Sequence, residues 1–527
     1  MMRGGRLALF AAALLPMLLP LPALAAPPKG FDGRVETLRR QVGVPGLAVA
    51  IVEHGQTTLA RGWGVRRLGG GPVDADTIFP TGSTGKAITV AALATLVDAG
   101  RIGWDDHVAD RLPGFQMYDP WVTREITVRD LLVHRSGLGL GQGDLLFVPR
   151  SNILRAEAVR RLRYLKPATS FRSGYAYDNV LYMVAGQLIE SVTGQRWEDY
   201  VRKHVLVPAG MVRSTADSEP RFQTANRAFP HARLDGGFRG AGTQTALDER
   251  DELARSAAPA GGLAVSANDM ARWLTLQLAH GRLPGGGRLF SEAAHAAMWR
   301  PEVIQPIDPV PPSLAATQPS YSLYAPGWEI QDYRGTRIVW HSGAVFGFKT
   351  VVVMIPDRDV GFAIELNSED GELARGLMFE LLDHYLEMPR GDWPERTIAW
   401  KQRILADART ALAARATAPA NVGPSLPPGR YAGTYGDPWY GDIVVENGTG
   451  GLRIDFRSTP RMAGRLEHYQ YDTFVTRFDD PALEPAYVTF ALDAQGKVTR
   501  VTMQPVSPIA DFSWDYRDLL FTPKAES

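Results

Sequence analysis

Thr81-Gly82-Ser83-Thr84-Gly85-Lys86-Ala87-Ile88-Thr89-Val90-Ala91-Ala92-Leu93 decides how this chain of 527 residues is read. A serine and a lysine stand three residues apart at the mouth of an apolar run, which predicts a helix over 83–99 stopped by Gly100. Residues at i and i+3 share a helix face, so Lys86 can bring its amine to the Ser83 hydroxyl. A serine hydroxyl is a weak nucleophile until a nearby base takes its proton. Lysine becomes such a base only where burial or neighbouring cations pull its pKa down from about 10.4. The mostly apolar residues 87–96 supply that burial. The bland alternative is a serine capping an ordinary helix start. Lysine occurs only at 29, 86, 166, 203, 349, 401, 497 and 524, and only Lys86 has a serine three places before it.

On either side of this helix the chain reads as sheet. Residues 34–41 predict a helix, 46–53 a strand and 57–65 its return. Residues 101–260 are mixed and largely helical, with helices at 180–192 (Gly194 behind it) and 197–207. Short apolar runs at 336–341, 348–355 and 360–366, punctuated by Pro356-Asp357, predict antiparallel hairpins, and 376–386 a packing helix. One sheet would thus combine strands from both ends of the region, with the mid-chain helices inserted between them. Residues 396–416 are Ala/Arg-rich and helical and 417–428 Pro-rich, so 394–425 reads as a linker. Strand signals follow at 429–435, 441–446, 452–456, 473–478, 486–492 and 498–505, with turns at 447–451 and 493–496. The fold class is α+β: an antiparallel sheet flanked by helices, an inserted helical subdomain, then a small β-barrel or sandwich. The expected domains are 1–25, 26–393, 394–425 and 426–527.

Composition narrows the function. Lys plus Arg and Asp plus Glu both total 57, which leaves no electrostatic footprint for nucleic acid or an anionic membrane. Cysteine is absent, which excludes disulfides, thiol catalysis and Cys-based zinc sites. Arg3 and Arg6, the apolar residues 7–21 and Ala23-Leu24-Ala25 read as a cleavable secretory signal, so the expected location is periplasmic or extracellular. Pro16, Pro20 and Pro22 and the shortness of the run argue against a membrane anchor.

Two later motifs carry chemistry only in company. In Tyr177-Asp178-Asn179 a phenol can relay a proton and an amide can orient a carbonyl or a lysine; alone, the motif is a turn before a helix. In His341-Ser342-Gly343 a strand ends where glycine lets a substrate backbone approach and the edge offers an N–H; alone, the motif is a histidine closing a strand. His134 in Leu131-Leu132-Val133-His134-Arg135-Ser136-Gly137 reads as a loop holder, and Pro259-Ala260-Gly261-Gly262-Leu263 as backbone packing.

Ser-x-x-Lys, Tyr-x-Asn and His-x-Gly, in that order and widely spaced, resemble the penicillin-recognising serine hydrolases. The nearest branch groups class C β-lactamases, D-alanyl-D-alanine peptidases, D-aminopeptidases and family VIII esterases. Residues 131–138, 208–211 and 261–270 match it as well, and the similarity spans roughly 31–390. The C-terminal part resembles, more weakly, the lipocalin-like barrel appended to some members. The resemblance implies Ser83 as acylated nucleophile, Lys86 as its base, and Tyr177 as proton shuttle. It implies that Asn179 positions substrate and Lys86, that His341 and Gly343 lie at the substrate, and that the Ser83 and Ala344 N–H groups form an oxyanion hole. It calls for no metal or cofactor. Asp178 stands where relatives often have a small residue. His341 replaces the lysine usual in class C β-lactamases, which shifts the expectation from β-lactams towards peptidase or esterase activity; small or D-residue peptides are the first reading, with a carboxylesterase, a β-lactamase, or a non-turnover penicillin-binding or substrate-binding module as alternatives. The expected partner is a small peptide or ester. No nucleic acid or integral membrane segment is expected, and a homo-oligomer is compatible with the sequence.

Overall fold

The computed structural model describes residues 27–251, 253–415, 422–514 and 516–525. The expected signal segment lies outside them. An eight-stranded antiparallel sheet forms the frame. In order across the sheet its strands are Gln56–Gly64, Gly46–Glu53, Val360–Leu366, Phe348–Ile355, Thr336–Val345, Trp328–Tyr333, Ser322–Ala325 and Val303–Ile304. Strand Gly46–Glu53 pairs with Val360–Leu366 in the register Ala48↔Glu365 and Ala50↔Ala363, so both ends of the region do meet in one sheet.

Every residue of Gly46–Glu53 is buried, because helices cover both faces of the sheet. Leu47, Val49 and Ile51 point to one face, where Phe31, Val35 and Leu38 of helix Phe31–Val42 and the apolar side of helix Gly371–Tyr385 pack on them. Ala48, Ala50 and Val52 point to the other, and their small size lets the helical region approach closely. Helix Lys86–Asp98 sits within that layer, with ten of its thirteen residues buried. Its sequence is apolar on every side, as expected of a helix enclosed by other elements. Helix Val180–Thr193 packs beside it and ends at Gly194 in the left-handed conformation. Among the described residues no helix is long and apolar enough to cross a membrane.

Helix Trp393–Arg415, in the stretch read as a linker, begins by packing on the sheet's flanking helix. Thr397 is buried, and a Cβ on Gly376 would lie 2.4 Å from the Pro394 backbone. The C-terminal strands close an eight-stranded antiparallel barrel. It includes Ala463–Gln470 and Leu520–Pro523, neither of which carries a run of apolar residues in the sequence.

The barrel docks on the sheet-bearing region at several points, one of them a buried tryptophan. Trp439 is 1% exposed, its Nε1 donates to the Gly143 carbonyl at 3.1 Å, and the Asp518 carboxylate accepts the Gly143 N–H at 2.8 Å. A Cβ on Gly143 would lie 3.2 Å from the indole, 3.0 Å from Val180 and 3.1 Å from Leu165, so the ring fills a seam between the two parts. Trp439→Ala should cost about 3–5 kcal/mol and lower the thermal midpoint, as read by calorimetry.

Candidate active site

Ser83 lies on a 3-10 turn, Gly82–Gly85, that runs directly into helix Lys86–Asp98. The cap position of that helix is Gly85, without a side-chain cap, so Ser83 is free of the capping role that the bland reading gave it. The turn is wedged between backbones. Gly82 has φ +53°, and a Cβ there would lie 2.7 Å from both the amide nitrogen and the carbonyl oxygen of Ala344. On Gly343 a Cβ would lie 2.0 Å from the Thr81 carbonyl oxygen and 3.3 Å from the Ser83 nitrogen. Gly343 therefore makes room for the Gly82–Gly85 turn. Strand Thr336–Val345 pairs with Trp328–Tyr333 only up to Trp340, so residues 341–345 form an unpaired edge beside Ser83 on that side.

Lys86 reaches Ser83 as the spacing predicted: Nζ to Oγ is 3.1 Å. The amine also donates to Asn179 Oδ1 at 2.7 Å and to the Ala260 carbonyl at 2.9 Å. Lys86 has no exposed surface, and burial lowers its pKa from 10.5 to about 7, against the opposing pull of Asp144 and Asp178. A neutral amine has two protons and one lone pair. Asn179 Oδ1 and a carbonyl can only accept, so they take both protons and leave the lone pair facing the Ser83 hydroxyl.

Tyr177 lies beside Ser83 with its hydroxyl buried and interacting with the Ser83 side chain. Burial raises its pKa well above 10, so it is a neutral phenol. Its ring is 4.8 Å from Lys86 Nζ and 4.2 Å, centre to centre, from the His134 ring. His134 Nδ1 accepts the Asp178 N–H at 3.2 Å, in keeping with its reading as a loop holder. The Asp178 carboxylate points away from the nucleophile, accepting from Ser136 Oγ at 3.1 Å and the Leu181 N–H at 3.2 Å. His341 lines the cavity, yet both ring nitrogens are engaged. Nδ1 lies 2.6 Å from the Ser342 carbonyl, which can only accept, so Nδ1 carries the proton and Nε2 accepts from the Tyr324 hydroxyl at 2.9 Å. Burial and the nearby Lys86 lower the His341 pKa to about 3, which keeps the ring neutral.

These groups open onto a cavity of about 640 Å³ whose wall comes partly from the C-terminal domain, through residues 509–514. Two site residues escaped the sequence reading. Asp144 accepts from Asn179 Nδ2 at 2.8 Å, and Ser513 donates to the same Asp144 oxygen at 2.7 Å. Neither sits in a recognisable motif, and 369 residues separate them.

Comparison with known proteins places this arrangement. The Beta-lactamase profile matches residues 31–386. The chain belongs to the Beta-lactamase family. A second profile, a domain of unknown function, matches residues 417–523. The chain is 30% identical over 421 residues to Unguisins hydrolase ungD' of Aspergillus campestris, covering 76% of this chain and 74% of that protein. It is 31% identical over 340 residues to Penicillin-binding protein 4 of Amycolatopsis lactamdurans, covering 64% and 84%. Among solved structures, the octameric penicillin-binding protein homologue from Pyrococcus abyssi superposes with a TM-score of 0.58 at 21% identity, over 90% of this chain and 98% of that one. The D-amino acid amidase of Ochrobactrum anthropi SV3 superposes at 0.53 with 19% identity, over 68% and 97%. Both structures share the Beta-lactamase-family fold of the hydrolase region.

Proposed function

We propose that the protein is an exported serine hydrolase that works through an acyl-enzyme on Ser83, with small peptides, including those with D-residues, as its substrates. The observation that carries this reading is the buried Lys86 amine, with its two protons committed to Asn179 and Ala260 and its lone pair left for Ser83. Lys86 takes the Ser83 proton as Oγ bonds to the substrate carbonyl carbon. The Ser83 and Ala344 N–H groups, brought side by side by Gly82 and Gly343, hold the oxyanion. On collapse the carbonyl–leaving-group bond breaks. Tyr177 gives its phenolic proton to the leaving group and is reprotonated from Lys86. Water then attacks the acyl carbon, passes its proton back through the same groups and releases the acid. Asn179 holds Lys86, and His341 accepts a hydrogen bond from the hydroxyl of the buried Tyr324.

The neutral, fully engaged His341 offers no cation to a substrate carboxylate, which favours peptide amides over β-lactams and leaves esters open. A relative named as a hydrolase supports turnover. A relative named as a penicillin-binding protein favours a second reading, in which the acyl-enzyme forms and stays. Purified protein is to be assayed against D-amino-acid peptides and amides, short esters and a cephalosporin, with intact-mass detection of adducts and Ser83→Ala as control. Turnover of peptides or amides above the cephalosporin is the expected result. Efficient cephalosporin turnover would replace the substrate assignment with a β-lactamase. A one-to-one adduct that never clears would establish the penicillin-binding reading.

A further inference from the structure

We propose that Ser513 of the barrel and Asp144 are positioning residues for Lys86, so that the site is complete only with the C-terminal domain docked. The proposal rests on Ser83 being the nucleophile. Three hydrogen bonds link the domain to the base: Ser513 Oγ to Asp144 Oδ2 at 2.7 Å, Asn179 Nδ2 to the same oxygen at 2.8 Å, and Lys86 Nζ to Asn179 Oδ1 at 2.7 Å. A carboxylate only accepts hydrogen bonds, so Asp144 dictates which end of the Asn179 amide faces it and which faces the lysine. With the amide reversed, its NH₂ would point at Lys86 and compete with the Ser83 hydroxyl for the one lone pair. Asp144 thereby keeps that lone pair directed at Ser83.

Ser513 matters because Asp144 is 1% exposed and its Oδ1 has no partner. Burial pushes the Asp144 pKa up to about 7, opposed by the two donors on Oδ2 and by the nearby Lys86. Removing the Ser513 hydroxyl leaves a single donor. The segment is held in place on both sides. Phe512 meets the Tyr177 ring edge-on at 5.7 Å between centroids, and a Cβ on Gly141 would lie 2.6 Å from the Phe512 ring. Asp518 and Trp439 clasp the Gly143 backbone next to Asp144. The charged and titratable groups facing the pair are Asp178, His134, His341, Tyr177 and Tyr182 around Lys86, and Asp511 near Asp144.

The test uses full-length protein and the rate of Ser83 labelling by a fluorophosphonate probe, followed by intact mass from pH 5.5 to 9. Ser513→Ala should lower the limiting rate by roughly tenfold to hundredfold. It should also move the acid limb of the profile to lower pH, because a protonated Asp144 no longer holds up the Lys86 pKa. Ser513→Thr, which keeps the hydroxyl, should restore both. Asp144→Asn should follow Ser513→Ala in direction. Rates and limbs that stay at wild-type values in Ser513→Ala and Asp144→Asn, while Ser83→Ala is unlabelled, would overturn the relay and leave the nucleophile standing. A slower rate with an unmoved limb and no rescue by threonine would reduce Ser513 to packing, and so also overturn it. Labelling of Ser83→Ala at the wild-type rate would remove the nucleophile reading and the relay with it.

Discussion

Lys86→Met should abolish acylation and yet raise the melting temperature at pH 6.5, whereas Ser83→Ala should abolish acylation without that gain. Activity fails in the first case because the Ser83 proton has no acceptor, a loss of at least 10²–10⁴-fold for a general base. Stability rises because the wild type must bury an amine. Holding a lysine at about 7 instead of 10.5 corresponds to roughly 5 kcal/mol against the folded state. Methionine removes that cost but strands Asn179 Oδ1 and the Ala260 carbonyl, at about 1–3 kcal/mol each. The balance runs from a gain of about 3 to a loss of about 1 kcal/mol and centres on a gain of about 1 kcal/mol, a shift of about a degree or two. The direction with pH follows from linkage. Between pH 7 and 10.5 the unfolded lysine binds more protons than the buried one, so wild-type stability from this group rises with pH across that window. The relief of the amine cost is therefore full below pH 7 and gone by 10.5, where the stranded acceptors leave Lys86→Met the less stable protein. Calorimetry at pH 6.5 and 9.5 checks it, and a difference between Lys86→Met and wild type that stays the same at both pH values would mean that the Lys86 pKa is not lowered.

The same group explains the acid limb expected for activity. Lys86 accepts a proton only when neutral, so the acylation rate should climb through pH 7 as the ammonium is lost. His341, with a pKa near 3, and Tyr177, with a pKa above 10, do not titrate there, whereas Asp144, raised to about 7, does and acts on the limb through Lys86. A site that spends stability on a neutral lysine is one whose folding and chemistry pull apart, which is common where a group must stay reactive.

How much of this was legible in the sequence depended on distance along the chain. Ser83 and Lys86 are three residues apart, and the apolar run after them already announced the burial that lowers the lysine pKa. The strands at 46–53, 348–355 and 360–366 were readable because both faces of the sheet are covered and their residues are almost all apolar. Trp328–Tyr333 does not read as a strand in the sequence, because its alternation of apolar and polar residues breaks at Gln331-Asp332, and Val303–Ile304 is too short to carry any signal. In the barrel, Ala463–Gln470 buries only Gly464 and Leu466, so its sequence reads as loop. At Gly343 the sequence shows that a backbone comes close, not that the Thr81 carbonyl is one that does. Asp144 and Ser513 were beyond reach because an aspartate in a loop and a serine between two aromatics become a pair only when the barrel docks.

Gly343→Ala is the structural counterpart of the lysine experiment, and its effect should be as large in the opposite sense. The added Cβ would sit 2.0 Å from the Thr81 carbonyl oxygen and 3.2 Å from its carbon. The clash is with backbone, so no rotamer relieves it. Either strand Thr336–Val345 or the Gly82–Gly85 turn must move by an ångström or more. The strand is pinned by its ladder to Phe348–Ile355, in which Gly343 pairs with Thr350. The turn is pinned through Gly82 against Ala344 and through the Thr81 N–H to the Leu263 carbonyl at 2.9 Å. Overpacking of this kind costs about 1–3 kcal/mol, and more where neither side can yield. The displacement also falls on the one place where the Ser83 and Ala344 N–H groups must converge, and a shift of an ångström there costs about 10²-fold in rate. The expected result is a lower melting temperature together with a drop in labelling rate and an unmoved acid limb, because the Lys86 surroundings are unchanged. A variant that melts and labels like the wild type would show that the strand edge and the nucleophile turn are not held against one another, and the oxyanion site would have to be sought elsewhere.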